Sequence, residues 1–205
     1  MEFELRDSAR RVRDFLLARG FSFDVVEFGS STRTAQDAAD SIGCTVGQIA
    51  KSLVFKEKNT GRAVLVIASG AHRVDLDTIR RSTGLVLGKA DGDFVKKKVG
   101  FAIGGIPPAG RVEPLETLLD VDLRRHETIW AAAGTPHAVF RLCPADLEAI
   151  TAGHSSSPPL PACSSPGPLE TVTSAPTSNR RLALRRLHPA LGAGSIPIDP
   201  SDHRF

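Results

Sequence analysis

The strongest structural signal in the sequence lies between residues 51 and 69. Two apolar and β-branched runs, SLVF and AVLVIAS, stand on either side of the turn NTGR. Paired runs of this kind around a short Gly-containing loop are typical of a β-hairpin. Any fold assigned to the chain must therefore contain this hairpin.

Helix signals occur on both sides of the hairpin. Thr34 begins the segment TAQD, in which Asp37 completes a capping-box pattern for a helix over AQDAADSIG. Asp75 and Asp91 are suited to cap LDTIRRSTG and GDFVKKKVG, and Pro144 is suited to open a last helix, ADLEAIT. A first helix is indicated by apolar residues on one helical face and a glycine stop: Leu5, Ala9, Val12, Leu16 and Gly20.

Four further segments have the pattern of strands: FDVVEF, LETLLD, ETIWAAA and HAVFRL. Strand pairs joined by hairpins and interleaved with single helices are typical of a mixed sheet with helices packed around it. The fold class predicted from the residues is therefore α/β in the broad sense (mixed α+β), in one compact domain.

The composition of the chain changes sharply after Gly153. Nine of the fourteen prolines and one of the ten phenylalanines lie beyond it, in a segment that begins HSSSPPLPACSSPGP. Such a stretch cannot recover its ordering entropy by burial, so a disordered tail is predicted. The chain is thus divided into a folded domain, 1–152, and a Ser/Pro-rich basic tail, 153–205. The tail is either an arm that contacts RNA or an acidic partner, or a solvated extension without a role.

Charge and hydropathy limit the possible partners. The net charge is +3, and the tail accounts for +2 of it with five Arg against one Glu and two Asp. The domain is therefore nearly neutral, and contact with a polyanion requires a local basic patch. No apolar run is long enough to cross a bilayer, and the charged N-terminus is unlike a secretory signal. We expect a cytoplasmic protein that makes no membrane contact.

The sequence gives no sign of a metal or cofactor site. Its three cysteines, Cys44, Cys143 and Cys163, are odd in number and far apart, so neither a disulfide framework nor a zinc site is indicated. Cys44 has no base near it in sequence, and a structural role is expected for it. Phosphate-loop, dinucleotide-binding, zinc-protease and serine-hydrolase motifs are missing from the sequence.

Lys51 is the first candidate for chemistry. It stands at the entrance to SLVF, where its ammonium can point into a cleft and act as a point charge for a phosphate or a polarised carbonyl. The alternative is an ordinary edge lysine, like Lys56 and Lys58 further along the same run.

Two loops are the other candidates. GGIPPAG, at 104–110, combines glycines that permit close backbone approach with prolines that stiffen its exit, although it also fits a plain connection. GTPH, at 134–137, is a tight turn that presents His137 as either a pocket residue or a surface residue. A second histidine, His126 in the charged stretch LRRHE, is expected to be solvated.

Taken in order, these segments resemble the YbaK/EbsC family, the aminoacyl-tRNA deacylase domain also found as an editing insertion in bacterial prolyl-tRNA synthetases. The segments that carry the resemblance are TAQDAADSIG, GQIAKSLVF, VLVIASGAHRVDLDTI, GFAIGGIPPAG and WAAAGTPHAVFRLCPADL, between about Thr34 and Gly153. The resemblance implies a compact mixed, largely antiparallel sheet with surrounding helices. It also implies a trans-editing hydrolase that cleaves the ester joining a wrong amino acid to the 3′ end of tRNA.

The resemblance assigns roles to individual residues. Lys51 matches the family's lysine in the KSL segment and is the implied catalytic residue. Pro107 stands where many relatives carry Ser or Thr, which leaves the amino-acid preference open. The implied substrate-binding residues belong to the family's Gly-x-x-x-Pro loop and to a turn that varies between subgroups: Gly104, Gly105, Pro108, Gly134 and His137.

The implied partner is an aminoacyl-tRNA that carries a small amino acid such as Ala, Ser, Thr or Cys. Because the domain is nearly neutral, a synthetase or an elongation factor could supply further affinity in trans. The alternative is a non-catalytic homologue that binds an amino acid, a nucleotide or the tRNA end. Candidate phosphate contacts, each of which also fits a solvated helix face, are Arg80, Arg81, Lys96, Lys97, Lys98, Arg124 and Arg125.

Overall fold

The computed structural model of the chain describes residues 5–29 and 34–151, together with the backbone of two short strands nearer the C-terminus. Its helices are α1 (Asp7–Leu17), α2 (Ala35–Ile42), α3 (Leu76–Thr83), α4 (Gly92–Val99) and α5 (Pro144–Thr151). Its strands are β1 (Val25–Glu27), β2 (Ile49–Glu57), β3 (Ala63–Ser69), β4 (Leu87–Lys89), β5 (Glu116–Asp120), β6 (Ile129–Ala132), β7 (Ala138–Leu142), β8 (Leu182–Leu187) and β9 (Ile196–Ile198).

The strands form one mixed sheet in the order β1-β7-β6-β2-β3-β5-β8-β9, with β4 paired to β2 outside this order. The predicted hairpin is β2–β3, in which Lys51 lies opposite Ala68. Two pairs are parallel, β2 with β6 and β3 with β5, and the other described pairs are antiparallel. The predicted fold class, a mixed and largely antiparallel sheet with surrounding helices, is confirmed.

The predicted helix caps are present. The Thr34 hydroxyl accepts a hydrogen bond from the Asp37 N–H at 3.0 Å, and the Asp37 carboxylate accepts one from the Thr34 N–H at 3.1 Å. Asp75 and Asp91 likewise accept hydrogen bonds from N–H groups in the first turns of α3 and α4. These bonds satisfy N–H groups that a helix start leaves without an intrahelical partner, so helix starts are set locally.

Helices cover both faces of the sheet, and β3 is consequently buried throughout. Along β3, Leu65 and Ile67 join the core formed with α1, α4 and α5, whereas Val64, Val66 and Ala68 pack with Ile79 of α3 on the other face. A strand buried on both faces reads as a continuous apolar run, as AVLVIAS does. This placement puts β3 between the two cores, and a partly exposed turn at 70–72 follows its C-terminal end.

The structure differs from the sequence prediction in three strand segments. β4 is a three-residue strand that the sequence did not indicate, because LGK has neither alternation nor length. The predicted disordered tail lies outside the described residues except for β8 and β9, whose backbone pairs with β5 and with each other. An edge strand offers unpaired N–H and C=O groups, which a passing segment of any composition can satisfy. The division at residue 152 stays a prediction.

Within the described part of the chain, no helix is long and apolar enough to cross a membrane.

Candidate functional site

Lys51 is the third residue of β2, slightly inside the strand rather than at its entrance. Its side chain is partly buried, and its Nζ donates hydrogen bonds to the carbonyl oxygens of Gly70, at 3.3 Å, and His72, at 2.7 Å. Both acceptors belong to the turn that follows β3. An ammonium has three N–H donors, so two of them are fixed and the third has no acceptor among the described residues.

The surroundings of Lys51 disfavour the protonated form of its side chain. Burial lowers the pKa of the Lys51 ammonium below its ordinary 10.5, the negative charge of Asp120 opposes that change, and the positive charge of Arg73 adds to it. A partly desolvated ammonium interacts more strongly with a nearby anion or polarised carbonyl than an exposed one does. The Lys51 ammonium is therefore well placed to stabilise a bound anion or a polarised carbonyl group.

Asp120, the last residue of β5, organises the turn that carries the two carbonyl acceptors. Its side chain is wholly buried. One carboxylate oxygen accepts the Ser69 N–H at 2.8 Å and lies 2.9 Å from His72 Nδ1, and the other accepts the Asp122 N–H at 2.9 Å. Because the carboxylate can only accept, we assign the proton of the His72 ring to Nδ1. His72 and Asp120 were not identified from the sequence.

Asp122 and His126 lie beside this pair. The His72 Nε2 is 3.7 Å from an Asp122 carboxylate oxygen, whose partner oxygen receives a 2.7 Å bond from Arg125. His126 is half-buried, which corrects the expectation that it is solvated. Burial lowers the pKa of His126, and the charges of Asp122 and Asp120 oppose that change.

His72, Asp120 and Asp122 form a group that could hold a metal ion, because their ligand atoms lie within 4.8 Å of one another. The Asp120 carboxylate is, however, already bonded to three donors. The positive charges of Lys51 and Arg125 also lie next to the group. A cation would have to displace these bonds and overcome this repulsion, so the arrangement is better suited to a hydrogen-bond network.

The two predicted glycine loops are in contact with each other. Gly104 is exposed and has a φ of +93°, a conformation that favours glycine. Gly105 is buried against the turn at 134–137, and a Cβ at Gly105 would lie only 2.5 Å from the backbone of Thr135. Gly134 also has a positive φ, +90°, and a Cβ there would lie 2.7 Å from the Ser8 carbonyl oxygen. Close backbone approach therefore explains both glycine loops.

Pro108 and His137, one in each loop, are held by hydrogen bonds to their backbone carbonyl groups. The Pro108 carbonyl accepts a hydrogen bond from Arg111, and burial lowers the pKa of that guanidinium to about 10. The His137 carbonyl accepts the Phe28 N–H at 2.7 Å. The His137 Nδ1 is buried and has no hydrogen-bond partner within the described residues. His137 is thus a partly buried residue with an unsatisfied ring nitrogen, rather than a surface histidine.

The sheet relates the loops to Lys51. β2 and β6 run parallel, with Ala50 opposite Ala131. Lys51 is the next residue of β2 and Ala132 is the last residue of β6, so the strand that leads into the turn at 134–137 ends level with Lys51. The hydrogen bonds of Lys51 go to Gly70 and His72 rather than to either loop.

The predicted phosphate contacts differ in how far they are already paired. Arg124 binds Glu148, Arg125 binds Asp122, and Lys98 binds Glu113 at 3.1 Å. Arg81 lies 4.0 Å from the Asp75 carboxylate and donates to the Thr78 hydroxyl at 2.7 Å. The other members are exposed residues in or near the last turns of α3 and α4: Arg80, Lys96 and Lys97.

Cys44 is a free cysteine, and burial raises the pKa of its thiol to about 11. A thiol that remains protonated at neutral pH is a poor nucleophile. This property agrees with the structural role expected from the sequence.

Comparisons with known proteins place these residues in context. Residues 30–150 match the family model described as an aminoacyl-tRNA editing domain. The uncharacterized protein YwhH of Bacillus subtilis (strain 168) is 33% identical over 124 residues, which are 60% of this chain and 78% of that protein.

Three solved structures are similar to the chain. A candidate trans-editing enzyme for prolyl tRNA synthetase is 47% identical with a TM-score of 0.69, covering 74% of this chain and 96% of that one. A protein from work on computational epitope backbone grafting onto scaffolds is also 47% identical, with a TM-score of 0.68 and coverage of 72% and 94%. The hypothetical protein APE2540, at 23% identity, a TM-score of 0.63 and coverage of 69% and 93%, shares the fold.

Proposed function

The chain belongs to the aminoacyl-tRNA editing domain family, and we propose that it is a trans-editing deacylase of mischarged aminoacyl-tRNA. In the proposed reaction, water attacks the ester carbonyl, and the bond between that carbon and the ribose oxygen breaks. The products are the free amino acid and a tRNA with an intact 3′ hydroxyl. We further propose that the protein acts in the cytoplasm on tRNAs that carry a small amino acid such as Ala, Ser, Thr or Cys.

The observation that carries this proposal is the state of Lys51. Its ammonium is held by two carbonyl oxygens, is partly desolvated, and retains one N–H donor direction. We propose that this donor binds the terminal phosphate, the ribose or the ester carbonyl of the tRNA end. A fixed charge at the reacting group stabilises the negative charge that develops on the carbonyl oxygen, without itself forming a covalent bond.

The glycine loops are proposed to hold the amino-acid end. Gly104 is exposed and its left-handed backbone is fixed, so its backbone groups can approach a ligand closely. His137, in the second of these loops, has a buried Nδ1 without a hydrogen-bond partner within the described residues. An aminoacyl ester is already activated, so orientation of the ester and a water supplies much of the rate.

Selection among amino acids is proposed to depend on size. A pocket that excludes one methylene discriminates by only about 1–3 kcal/mol, so we expect leakage among small amino acids. The candidate trans-editing relative is described in connection with prolyl tRNA synthetase. We therefore propose a synthetase or an elongation factor as the partner that supplies additional tRNA affinity.

A deacylation panel tests the proposal. The full chain, Lys51→Ala and the matched control Lys56→Ala would be assayed on tRNAs charged with Ala, Ser, Thr, Cys and Pro. Lys56 lies on the same strand but is exposed. We expect hydrolysis of at least one substrate by the full chain and Lys56→Ala, and a loss of about 100-fold or more for Lys51→Ala. Hydrolysis of none, or equal rates for all three proteins, would contradict the proposal.

A further inference from the structure

The turn after β3 is the structural element that fixes the orientation of the Lys51 side chain. Its two carbonyl groups, from Gly70 and His72, are the acceptors for the Lys51 ammonium. The turn is tied to β2 by the Gly70 N–H, which donates to the Ile49 carbonyl at 2.7 Å. Any movement of this turn therefore moves the ammonium.

A further tie of the turn, besides the Ser69 hydroxyl that donates to the Gly47 carbonyl at 2.9 Å, comes from Asp120, which is distant in sequence. The Asp120 carboxylate accepts the N–H of Ser69, at the start of the turn, and faces the ring Nδ1 of His72, at its end. One wholly buried carboxylate oxygen thus holds both ends of the segment that supplies the acceptors. The parallel pairing of β3 with β5 delivers Asp120 to this position.

Asp120 also contributes charge. Among the described residues, the charged groups that act on Lys51 are Asp120 at the end of β5 and Arg73 just after the turn. Asp122, Arg125 and His126 lie beyond His72, where Asp122 is paired with Arg125. Asp120 is accordingly the carboxylate that counterbalances the lysine.

We propose that Asp120 and His72 are positioning residues for Lys51: Asp120 locks the 69–72 turn through Ser69 and the His72 ring, and so fixes the location of the ammonium while placing a negative charge near it. In this role the His72 ring donates to Asp120 and does not take a proton from water. The proposal rests on the proposed deacylase function for its catalytic consequence, but not for the interaction between Asp120 and Lys51.

The two possible roles of His72 are separated by a pair of variants. Asn places an N–H donor close to the position of Nδ1 and has no counterpart of Nε2, whereas Ala lacks both. We expect kcat of His72→Asn to stay within about threefold of the wild type, and kcat of His72→Ala to fall by about tenfold with little change in KM. Equal losses in both variants would show that Nε2 does chemistry, and would overturn the positioning role.

Asp120→Asn tests the effect on charge. The amide retains an acceptor oxygen but removes the negative charge, so the Lys51 ammonium should lose its proton at lower pH. We expect the alkaline limb of the kcat profile to move down by about one pH unit. Glu57→Gln is the matched control, because it removes another buried carboxylate, at the other end of β2, and should leave that limb in place.

A direct titration makes the test independent of activity. NMR of 15N-labelled lysine, with Lys51→Met to assign the signal, reports the pKa of the ammonium in the full-length wild type, Asp120→Asn and Glu57→Gln. We expect the lysine pKa to fall only in Asp120→Asn. An unchanged pKa in Asp120→Asn, or an equal fall in Glu57→Gln, would overturn the inference. An inactive wild type in which Asp120→Asn shifts this pKa would instead contradict only the proposed function.

Discussion

The two ends of β2 each hold a buried or partly buried charge, and they use it differently. At one end, which we call the Glu57 end (residues 55–57), the Glu57 carboxylate accepts the N–H and hydroxyl of Thr60, at 2.6 and 2.7 Å, and the N–H of Val86 at 3.4 Å. At the Lys51 end (residues 49–51), the ammonium is bonded to two carbonyls within a network of ionisable groups.

Glu57 and Lys51 differ in how much hydrogen-bonding capacity their charged groups have left. The Glu57 donors come from the hairpin turn and the segment just before β4, and they lower the pKa of Glu57 and hold it as a carboxylate. The Lys51 ammonium is destabilised by burial and retains an N–H direction for another acceptor. A buried charge that is saturated by neighbouring donors serves the fold, whereas one with bonding capacity left over is available for a ligand.

The largest expected effect is at the Lys51 end. Lys51→Met removes the charge and keeps the length of the stem, so we expect deacylation to fall by about 100-fold or more. The Tm should change by only a few degrees, because the removal of a desolvated charge is offset by the loss of two hydrogen bonds to carbonyl groups and of the charge that balances Asp120. Single-turnover deacylation and thermal unfolding measure the two quantities. A variant that loses stability and keeps its activity would reverse the comparison.

A smaller effect is expected where the glycine loops meet beside the Lys51 end. In Gly105→Ala the new methyl group would overlap the Thr135 backbone, so one loop must shift. We expect activity to fall by about tenfold and stability to fall by about 1–3 kcal/mol. Gly92→Ala is the control, because a Cβ at this exposed helix position meets nothing. Equal stability in denaturant melts and equal deacylation rates for the two variants would show that the contact between the loops contributes to neither property.

At the Glu57 end the expected effect is on stability alone. Glu57→Gln should lower the Tm by a few degrees at pH 7 and leave deacylation within about twofold of the wild type. The pKa of Glu57 is lowered in the folded protein, so its contribution is complete above the unfolded value of about 4.5 and is lost as the pH falls through the folded value. The Tm difference between the two proteins should therefore shrink on acidification. A difference that grows in acid would contradict this assignment.

The smallest expected effect is the contribution of Lys51 to the pH dependence of stability at alkaline pH. Because its pKa is lowered on folding, the folded protein binds fewer protons than the unfolded chain between that pKa and 10.5. The stability of the wild type relative to Lys51→Met should therefore rise with pH across this window. Urea melts at pH 8 and pH 10 compare the two proteins, and a relative stability that falls with pH would show that Lys51 is not desolvated.

Local sequence rules predicted much of the fold. The capping box of Thr34 and Asp37, the N-caps Asp75 and Asp91, and the β2–β3 hairpin all depend on residues a few positions apart, and each was predicted and is present. β4 was missed because its pairing with β2 is set by tertiary contacts rather than by a strand pattern of its own. The roles of Lys51, the glycine loops and His137 came from a family resemblance and stay predictions.

His72 and Asp120 could not be recognised from local spacing, because they are 48 residues apart in the chain. A signal was nevertheless present. AVLVIAS is followed by GAH, and LETLLD ends in an aspartate. If the two strands were known to be parallel neighbours, their carboxyl ends would be expected to meet at one edge, with His72 and Asp120 close together. The sequence predicted both strands but not their adjacency.

The pairing of β3 with β5 has a consequence for the time at which the chain becomes functional. The Glu57 end closes through a hairpin turn, and its carboxylate meets Thr60 only three residues away. The Lys51 end is complete only when Asp120 reaches Ser69, across 51 residues. Short loops close sooner than long ones, and non-local pairing is slow. We therefore expect the β2–β3 hairpin to form early in folding and the orientation of the Lys51 side chain to be fixed last. The appearance of catalytic activity would then report that folding is complete.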